Sequence, residues 1–276
     1  MKKKILILGE QCVDVFHYGR ATRLAPDGPF PVFSTEYTKS NAGMAGNLFE
    51  NFISLRPDWE VYILFNLNEI TKTRYVDITS NYTLLRIDKG DKIETQLTEE
   101  MINQNFELNH LTIKDFQAII FCDYDKGFLT QELISSVTMQ ANMSAIPTFM
   151  DTKKILGPWS RDVTYVKINE KEFNTQLNHK VDLKEACINL IVTLGGKGSL
   201  YWNDKTLVKA PETAVIDLSG AGDTYFAAFI SHLIENDFQT IPAMNYANLA
   251  AGISVSKRGV VKITTEEIDH TYKDKK

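Results

Sequence analysis

Short apolar runs alternate with helical patterns along most of this chain, and this alternation limits the fold more than any other feature. Runs typical of buried strands lie at 5–8, 61–65, 118–122, 148–150, 163–168, 189–194, 199–202 and 206–209. Helical patterns lie at 99–109, 130–142 and 241–257, and segment 41–47 introduces a further helix that runs to about 55. Because parallel strands need long, usually helical crossovers, the sequence predicts an α/β fold with a central, mostly parallel sheet covered on both faces.

Two segments of alternating apolar and polar residues, 31–37 and 82–88, do not fit this parallel pattern. They predict a small β lid with strands roughly at 15–40 and 72–95, in which the two segments pair with each other. The stretch between Arg20 and Pro31 is rich in proline and glycine and is interpreted as an extended excursion. A solitary lid would expose its strand edges, so we expect a homodimer that pairs two lids. The length suits a single domain, 1–276.

Composition excludes several classes of function. A net charge of -5 gives no basic surface for nucleic acid. No window approaches the 18 or so apolar residues of a membrane span. The three cysteines, Cys12, Cys122 and Cys187, are far apart and lack metal-ligand spacing, which favours a protein of the reducing cytoplasm.

The segment 216–230 contains the strongest chemical signal. Its turn, Gly220, Ala221 and Gly222, leaves backbone amides accessible at the start of a helical pattern, and helix N-termini bind anions. Asp223 follows directly, either as an N-cap that adds about 1 kcal/mol of stability or as a base beside a bound phosphoryl group. The dinucleotide fingerprint is excluded because Tyr225 stands at its third glycine, and no G-x-x-x-x-G-K-[ST] loop occurs.

Asp217 and the turn residues through Asp223 resemble the D-x-x-GAGD signature of the PfkB, or ribokinase-like, sugar kinases. The resemblance implies a ribokinase-like three-layer sandwich. It also implies that Asp223 is the catalytic base, that the amides of Gly220 to Asp223 form the anion hole, and that the substrates are ATP, with Mg²⁺, and a sugar.

Further segments resemble one branch of that family, the heptose-7-phosphate kinases. They include 43–47, similar to a GGAxN sugar-binding turn, 84–88, similar to LLRID, 122–127, similar to SDYxKG, and 151–153, similar to D-x-K. A phosphorylated substrate needs basic partners, and arginine suits their geometry. The substrate-binding residues implied in this way are Asp14, Arg23, Gly43, Asn47, Arg86, Lys126 and Lys153.

The nucleotide side is also implied by resemblance. Asn169 and Glu172 match the family's N-x-x-E motif, which organises Mg²⁺ and the phosphates through water; taken alone, they equally fit a helix start with a capping glutamate. Segment 192–198 resembles a VTxGxxG turn, and 248–252 resembles the helix beside the adenine. The nucleotide-binding residues expected from these matches are Asn169, Thr193, Gly195, Gly198 and Asn248.

The leading hypothesis is therefore an ATP-dependent kinase of the anomeric hydroxyl of a heptose 7-phosphate. The alternatives are a ribokinase- or fructokinase-like kinase of an unphosphorylated sugar, and a non-catalytic binding protein derived from a kinase. The last is motivated by two segments that are shorter than is usual in the family, 66–70 and 182–189. Members of the heptose branch often carry a C-terminal nucleotidyltransferase domain, so we expect any second activity to come from another chain.

Overall fold

The computed structural model describes residues 2–273 and contains two sheets. The larger has eight strands in the order β12-β11-β10-β9-β8-β7-β1-β4, and the smaller has four in the order β3-β2-β5-β6. The strands of the large sheet are β1 (Lys4–Gly9), β4 (Glu60–Phe65), β7 (Ala118–Asp123), β8 (Thr148–Thr152), β9 (Tyr165–Asn169), β10 (Leu190–Thr193), β11 (Ser199–Tyr201) and β12 (Thr206–Val208). Those of the small sheet are β2 (Gln11–Leu24), β3 (Pro31–Met44), β5 (Thr71–Asp77) and β6 (Thr83–Lys89).

Helices cover both faces of the large sheet. They are α1 (Ala45–Leu55), α2 (Glu99–Leu108), α3 (Gln131–Met143), α4 (Glu170–Asn178), α5 (Leu183–Ala186), α6 (Ala221–Glu235), α7 (Thr240–Val255) and α8 (Thr265–Lys273). Alternate residues of β1 enter two separate cores: Leu6 and Leu8 pack with α2 and α3, whereas Ile5 and Ile7 pack with α1, α6 and α7. This is the three-layer sandwich that the sequence predicts.

The pairing within the large sheet is mostly parallel. Strand β1 is parallel to both β4 and β7, and the parallel ladder continues through β8, β9 and β10. Only β11 and β12, at one edge, pair antiparallel. The carboxyl ends of the parallel strands therefore meet at one edge, where ligands bind in open α/β sheets.

The lid exists, but its predicted internal pairing is wrong. Segment 31–37 lies in β3 and pairs with β2, whereas segment 82–88 lies in β6 and pairs with β5. The two segments thus occupy opposite edges of the small sheet. The middle is filled by β2, which follows β1 after the single residue Glu10, and by β5, which pairs with β2 in parallel.

Two local boundaries also differ from expectation. The helix predicted from 41–47 begins only at Ala45, because β3 continues to Met44, which has a positive φ of 56°. The extended stretch between Arg20 and Pro31 belongs to β2 as far as Leu24.

The two segments that are shorter than usual, 66–70 and 182–189, connect their neighbouring elements without long insertions. The Asn66 side chain accepts a bond from the Gln11 amide at 2.7 Å and donates to the Asn68 carbonyl at 2.5 Å, which closes the turn before β5. The second short segment holds α5, a single turn of helix whose cap Asp182 accepts from the Lys184 amide at 3.1 Å. Within residues 2–273, no helix has both the length and the apolar character needed to cross a membrane.

Candidate active site

The turn before α6 leaves amides free, as an anion site requires. Gly220 has a φ of 77°, a left-handed conformation that favours glycine, and an added Cβ would lie 2.9 Å from the Asn47 side-chain nitrogen. The Ala221 amide makes one long bond of 3.4 Å to the Leu218 carbonyl. Within the described residues, no hydrogen bond is found for the amides of Gly222 and Asp223. These two amides are available to an anion.

The Asp223 carboxylate is buried and held at both oxygens. Asn47 donates to Oδ2 at 2.6 Å, and the Tyr124 hydroxyl donates to Oδ1 at 3.2 Å. Burial raises the pKa of Asp223 to about 6, against the opposing effect of the Asn47 hydrogen bond. A carboxylate with this pKa is ionised at neutral pH and still basic enough to accept a proton from a hydroxyl group in a transition state.

A buried ion pair lies beneath the turn. Lys167, only 5% exposed, donates to Asp151 Oδ2 at 2.6 Å. Its ammonium lies 3.5 Å from where a Cβ on Gly222 would be. Burial lowers the pKa of Lys167, but the carboxylates of Asp151, Glu172 and Asp223 together outweigh burial and the net shift is upward. Lys167 therefore contributes a positive charge directly behind the free amides.

A cavity of about 240 Å³ opens in front of this turn, and we call it the phosphate cavity. It is lined by Asp123, Tyr124, Asp151, Lys153, Lys167, Asn169, Glu172, Gly220, Gly222 and Asp223. Four carboxylates and two ammonium groups thus share one small volume. This mixture suits a polyphosphate accompanied by a cation.

The N-x-x-E residues cap a helix, which is one of the two roles that the sequence left open, and they also line a cavity. The Asn169 amide donates to Glu172 Oε2 at 2.8 Å, and the Glu172 amide donates to Asn169 Oδ1 at 2.9 Å, which is a capping box at the start of α4. Both side chains also line the phosphate cavity. Burial, followed by the nearby Asp151 carboxylate, raises the pKa of Glu172.

The residues present fit Mg²⁺ that is held mainly by a ligand. Among residues 2–273, no three His, Cys, Asp or Glu side chains are placed to hold a metal ion. Magnesium in nucleotide sites usually keeps several waters and takes one or two carboxylates plus phosphate oxygens. Glu172, whose pKa is raised by burial and then by the nearby Asp151 carboxylate, is the carboxylate available for this role.

A second cavity, of about 250 Å³, adjoins the first beneath the lid, and we call it the sugar cavity. Its lining includes Asp14, Gly43 and Asn47, three of the predicted substrate residues. An added Cβ on Gly43 would lie 2.2 Å from Asp14 Oδ2, so only glycine allows this carboxylate its position. The two cavities share Tyr124, Lys153, Gly220 and Asp223, and they therefore meet at the proposed base.

One wall of the sugar cavity is strongly basic. It carries Lys72, Arg74, Arg86 and Lys153. Arg74 forms an ion pair with Asp14, and Arg86 is bonded twice to Asp88, at 2.7 and 2.8 Å. In the part of the chain that the structure describes, Lys72 and Lys153 have no ion pair; each lies over the Tyr124 ring, at 5.6 and 4.3 Å from its centroid. Burial, then the neighbouring Lys72, lowers the pKa of Lys153.

Two predicted substrate residues are not brought to either cavity. Arg23 is exposed near the far end of β2, nine residues beyond Asp14, or about 30 Å along an extended strand. Lys126 forms an ion pair with Asp91 at 2.7 Å and lies outside both linings.

The predicted nucleotide residues lie around the end of β10. Thr193 ends this strand, and Gly195 and Gly198 follow with φ of 57° and 105°. An added Cβ on Gly195 would meet nothing within 4 Å, so this surface is open to a ligand. Asn248 instead donates its amide to the Val208 carbonyl at 2.9 Å and thereby ties α7 to β12.

Sequence reasoning passed over five residues of the site: Lys72, Arg74, Tyr124, Asp151 and Lys167. Tyr124 and Asp151 lie in the segments 122–127 and 151–153 that resemble the family, but the resemblance assigns neither a role. Lys167 carried its own signal, because a lysine within the apolar run 163–168 is unusual for a buried strand.

The sequence profile of the pfkB family of carbohydrate kinases matches residues 61–267, which are 207 of the 276 residues. This chain belongs to that family. The prediction of an ATP-dependent carbohydrate kinase is thereby confirmed. The two short segments that motivate the non-catalytic alternative, 66–70 and 182–189, both lie inside the matched region.

Among curated relatives, the bifunctional protein HldE of Nitratiruptor sp. is 29% identical over 309 aligned positions, covering 98% of this chain and 65% of that protein. The bifunctional protein HldE of Helicobacter pylori is 27% identical, with coverage of 96% and 66%. This kinase thus spans slightly less than two thirds of the relatives it matches.

Solved structures agree with the fold. A ribokinase from Thermotoga maritima superposes with a TM-score of 0.76 at 17% identity, covering 98% of this chain and 99% of the other. A ribokinase from Arabidopsis thaliana, complexed with ribose and ATP, superposes with a TM-score of 0.68 at 14% identity, with 98% of each chain covered. The ribokinase-like fold is therefore confirmed.

Proposed function

We propose that this kinase transfers the γ-phosphoryl group of ATP to the anomeric hydroxyl of D-glycero-D-manno-heptose 7-phosphate and forms the 1,7-bisphosphate. The observation that carries the proposal is the pair of ammonium groups, Lys72 and Lys153, which line the sugar cavity without an ion pair among the described residues. Both side chains remain accessible to solvent, Lys72 in part and Lys153 more fully, so an anionic ligand can reach them. A phosphate carried by the sugar would pair with these two positive charges.

The relatives support the same substrate. The proteins named HldE match nearly the whole of this chain, at 27–29% identity in the two cases described above. The resemblance of 84–88 and 122–127 to the heptose-7-phosphate kinases points the same way.

The chemistry follows from the place where the two cavities meet. Asp223, which accepts hydrogen bonds from Asn47 and Tyr124, would accept the proton of the attacking hydroxyl. The free amides of Gly222 and Asp223, backed by Lys167, would hold the phosphoryl oxygens on which negative charge accumulates. Magnesium, bound to ATP and reached by Glu172 through water, would neutralise further phosphate charge.

We propose a homodimer through the lid as the oligomeric state. Every residue of β6, an edge strand, is exposed, and the strand carries Leu84, Leu85 and Ile87. A second lid would cover this edge. We also propose a cytoplasmic location, where ATP is available and the thiols Cys12, Cys122 and Cys187 stay reduced.

The substrate proposal is tested by removing the two ammonium groups one at a time. Lys72→Ala and Lys153→Ala should each raise KM for the heptose phosphate by about 10- to 100-fold, since a bond to a charged group contributes about 1.5–3 kcal/mol. KM for ATP should stay within about twofold in Lys72→Ala, whose side chain lines only the sugar cavity. Lys114→Ala removes the same charge from an exposed site outside both cavities and serves as the control. An unchanged sugar KM in both variants would contradict the proposal.

A further inference from the structure

Tyr124 occupies the boundary between the two cavities and contacts the proposed base. Its hydroxyl donates to Asp223 Oδ1 at 3.2 Å, and its side chain lines both the phosphate cavity and the sugar cavity. Asn47 holds the other carboxylate oxygen of Asp223 at 2.6 Å. With one donor on each oxygen, the carboxylate has a fixed orientation, and each oxygen keeps one lone pair free.

The backbone of Tyr124 is anchored by a buried carboxylate. The Tyr124 amide donates to Glu10 Oε2 at 2.6 Å, and the amides of Lys126 and Phe128 donate to Oε1 at 3.3 and 3.2 Å. Glu10 is fully buried and joins β1 to β2, so these three bonds fix the 124–128 turn to that junction. The anchor places the ring at the junction of the central sheet and the lid.

The ring is also held by charge. Lys153, from the central sheet side, lies 4.3 Å from its centroid, and Lys72, from lid strand β5, lies 5.6 Å away. Such cation–π contacts contribute about 0.5–2 kcal/mol each. Burial and the neighbouring Asp223 carboxylate raise the pKa of Tyr124 well above its usual value, so the hydroxyl stays protonated and remains a donor near neutral pH.

We propose that Tyr124 is a positioning residue for phosphoryl transfer, whose hydroxyl fixes the Asp223 carboxylate while its anchored ring holds that bond at the boundary of the two cavities. The inference rests on the proposed function, in which Asp223 is the base. It assigns a separate role to a residue that does not itself exchange a proton with the sugar.

Tyr124→Phe is the direct test, because it removes only the hydroxyl and keeps the ring, its cation–π contacts and the backbone bonds to Glu10. We expect kcat to fall about tenfold, in line with the loss of one bond to a charged group. The acid limb of the kcat profile should move to higher pH, by about half a unit or more, because the ionised form of Asp223 loses a donor. KM for ATP should be unchanged.

Tyr165→Phe is the matched control, since its hydroxyl bonds Thr240 at 2.7 Å and lies outside both cavities. It should leave kcat and the pH profile unchanged. A Tyr124→Phe enzyme whose kcat and acid limb equal those of the wild type would overturn the inference.

A second measurement needs no activity and separates this inference from the proposed function. The stability difference between a chain with Asp223 and one with Asp223→Asn reports the pKa of this carboxyl through its dependence on pH. When both chains also carry Tyr124→Phe, this stability difference should keep changing with pH up to a higher pH. An unchanged dependence would overturn the inference even if the sugar substrate proves different, whereas full activity of Asp223→Asn would instead refute the proposed base.

Discussion

Replacing Asp223 with asparagine should make this kinase more stable while it abolishes phosphoryl transfer. Asp223 is 8% exposed and lies in the first turn of α6. Burial disfavours its ionised form and raises its pKa from 3.8 to about 6. The folded protein therefore carries an unfavourable charge, as expected of the proposed catalytic base.

The size of the effect follows from that shift. About two pKa units correspond to about 3 kcal/mol of unfavourable free energy for the ionised carboxylate in the folded state. Asparagine removes the charge, but its NH2 group must face either Asn47 or Tyr124. One hydrogen bond that the carboxylate accepted, worth about 1 kcal/mol, is therefore lost. The net expectation is about 2 kcal/mol of stabilisation at pH 8, or a Tm higher by about 4–8 °C for a chain of this size.

The direction of the pH dependence follows from the sign of the shift. Between the unfolded value of 3.8 and the folded value of about 6, the unfolded chain has released the Asp223 proton and the folded chain has retained it. The free energy of unfolding therefore falls as pH rises through this window. The advantage of asparagine should be largest at pH 8 and should decrease towards pH 4.

Thermal unfolding of the wild type and Asp223→Asn at pH 4, 5, 6 and 8 provides the measurement. Other titrating groups, including Glu10 and Glu172, are common to both proteins and cancel in the difference. Asp27→Asn, at an exposed position between β2 and β3, should show no such pattern. A variant that is less stable than the wild type at pH 8, or a Tm difference that does not change between pH 5 and pH 8, would refute the reasoning.

Two further predictions concern catalysis. The kcat/KM of the wild type should rise with pH and level off with a midpoint near 6, the pKa of Asp223. Asp223→Ala should lower kcat by about 10²- to 10⁴-fold. Initial rates of ADP release across pH 5–9 measure both, and a wild-type kcat/KM that does not change with pH would contradict the role of this carboxyl. Gly43→Ala should raise the sugar KM with little change in the ATP KM, because its Cβ would lie 2.2 Å from Asp14 Oδ2 and push that carboxylate from Arg74; equal sugar KM values in the two proteins would show that Asp14 does not hold the sugar.

The sequence predicts best what local chemistry decides. The turn from Gly220 to Asp223 carries its own conformational signal, and buried strands such as β1 and β7 are continuous apolar runs. The fold class and the free amides of the proposed anion site therefore follow from short segments. Asn169 and Glu172 show a related point, because the same two residues form a capping box and line the phosphate cavity.

Pairing between distant segments was not predictable in the same way. The lid is built by β2 pairing with β5, across about 50 residues of sequence, and no local signal states which strands are neighbours. Without that pairing, Lys72 and Arg74 of β5 could not be assigned to the sugar cavity. For the same reason, the motif at 122–127 predicts Lys126 as a substrate residue, although in the structure Lys126 forms an ion pair with Asp91.

The central claim is most directly tested by ADP release from purified protein with Mg-ATP and a panel of sugars. The panel contains D-glycero-D-manno-heptose 7-phosphate, sedoheptulose 7-phosphate, fructose 6-phosphate, fructose and ribose. We predict turnover with the heptose 7-phosphate that exceeds turnover with every neutral sugar and is lost in Asp223→Asn. Turnover confined to ribose or fructose would contradict the claim that Lys72 and Lys153 receive a sugar phosphate.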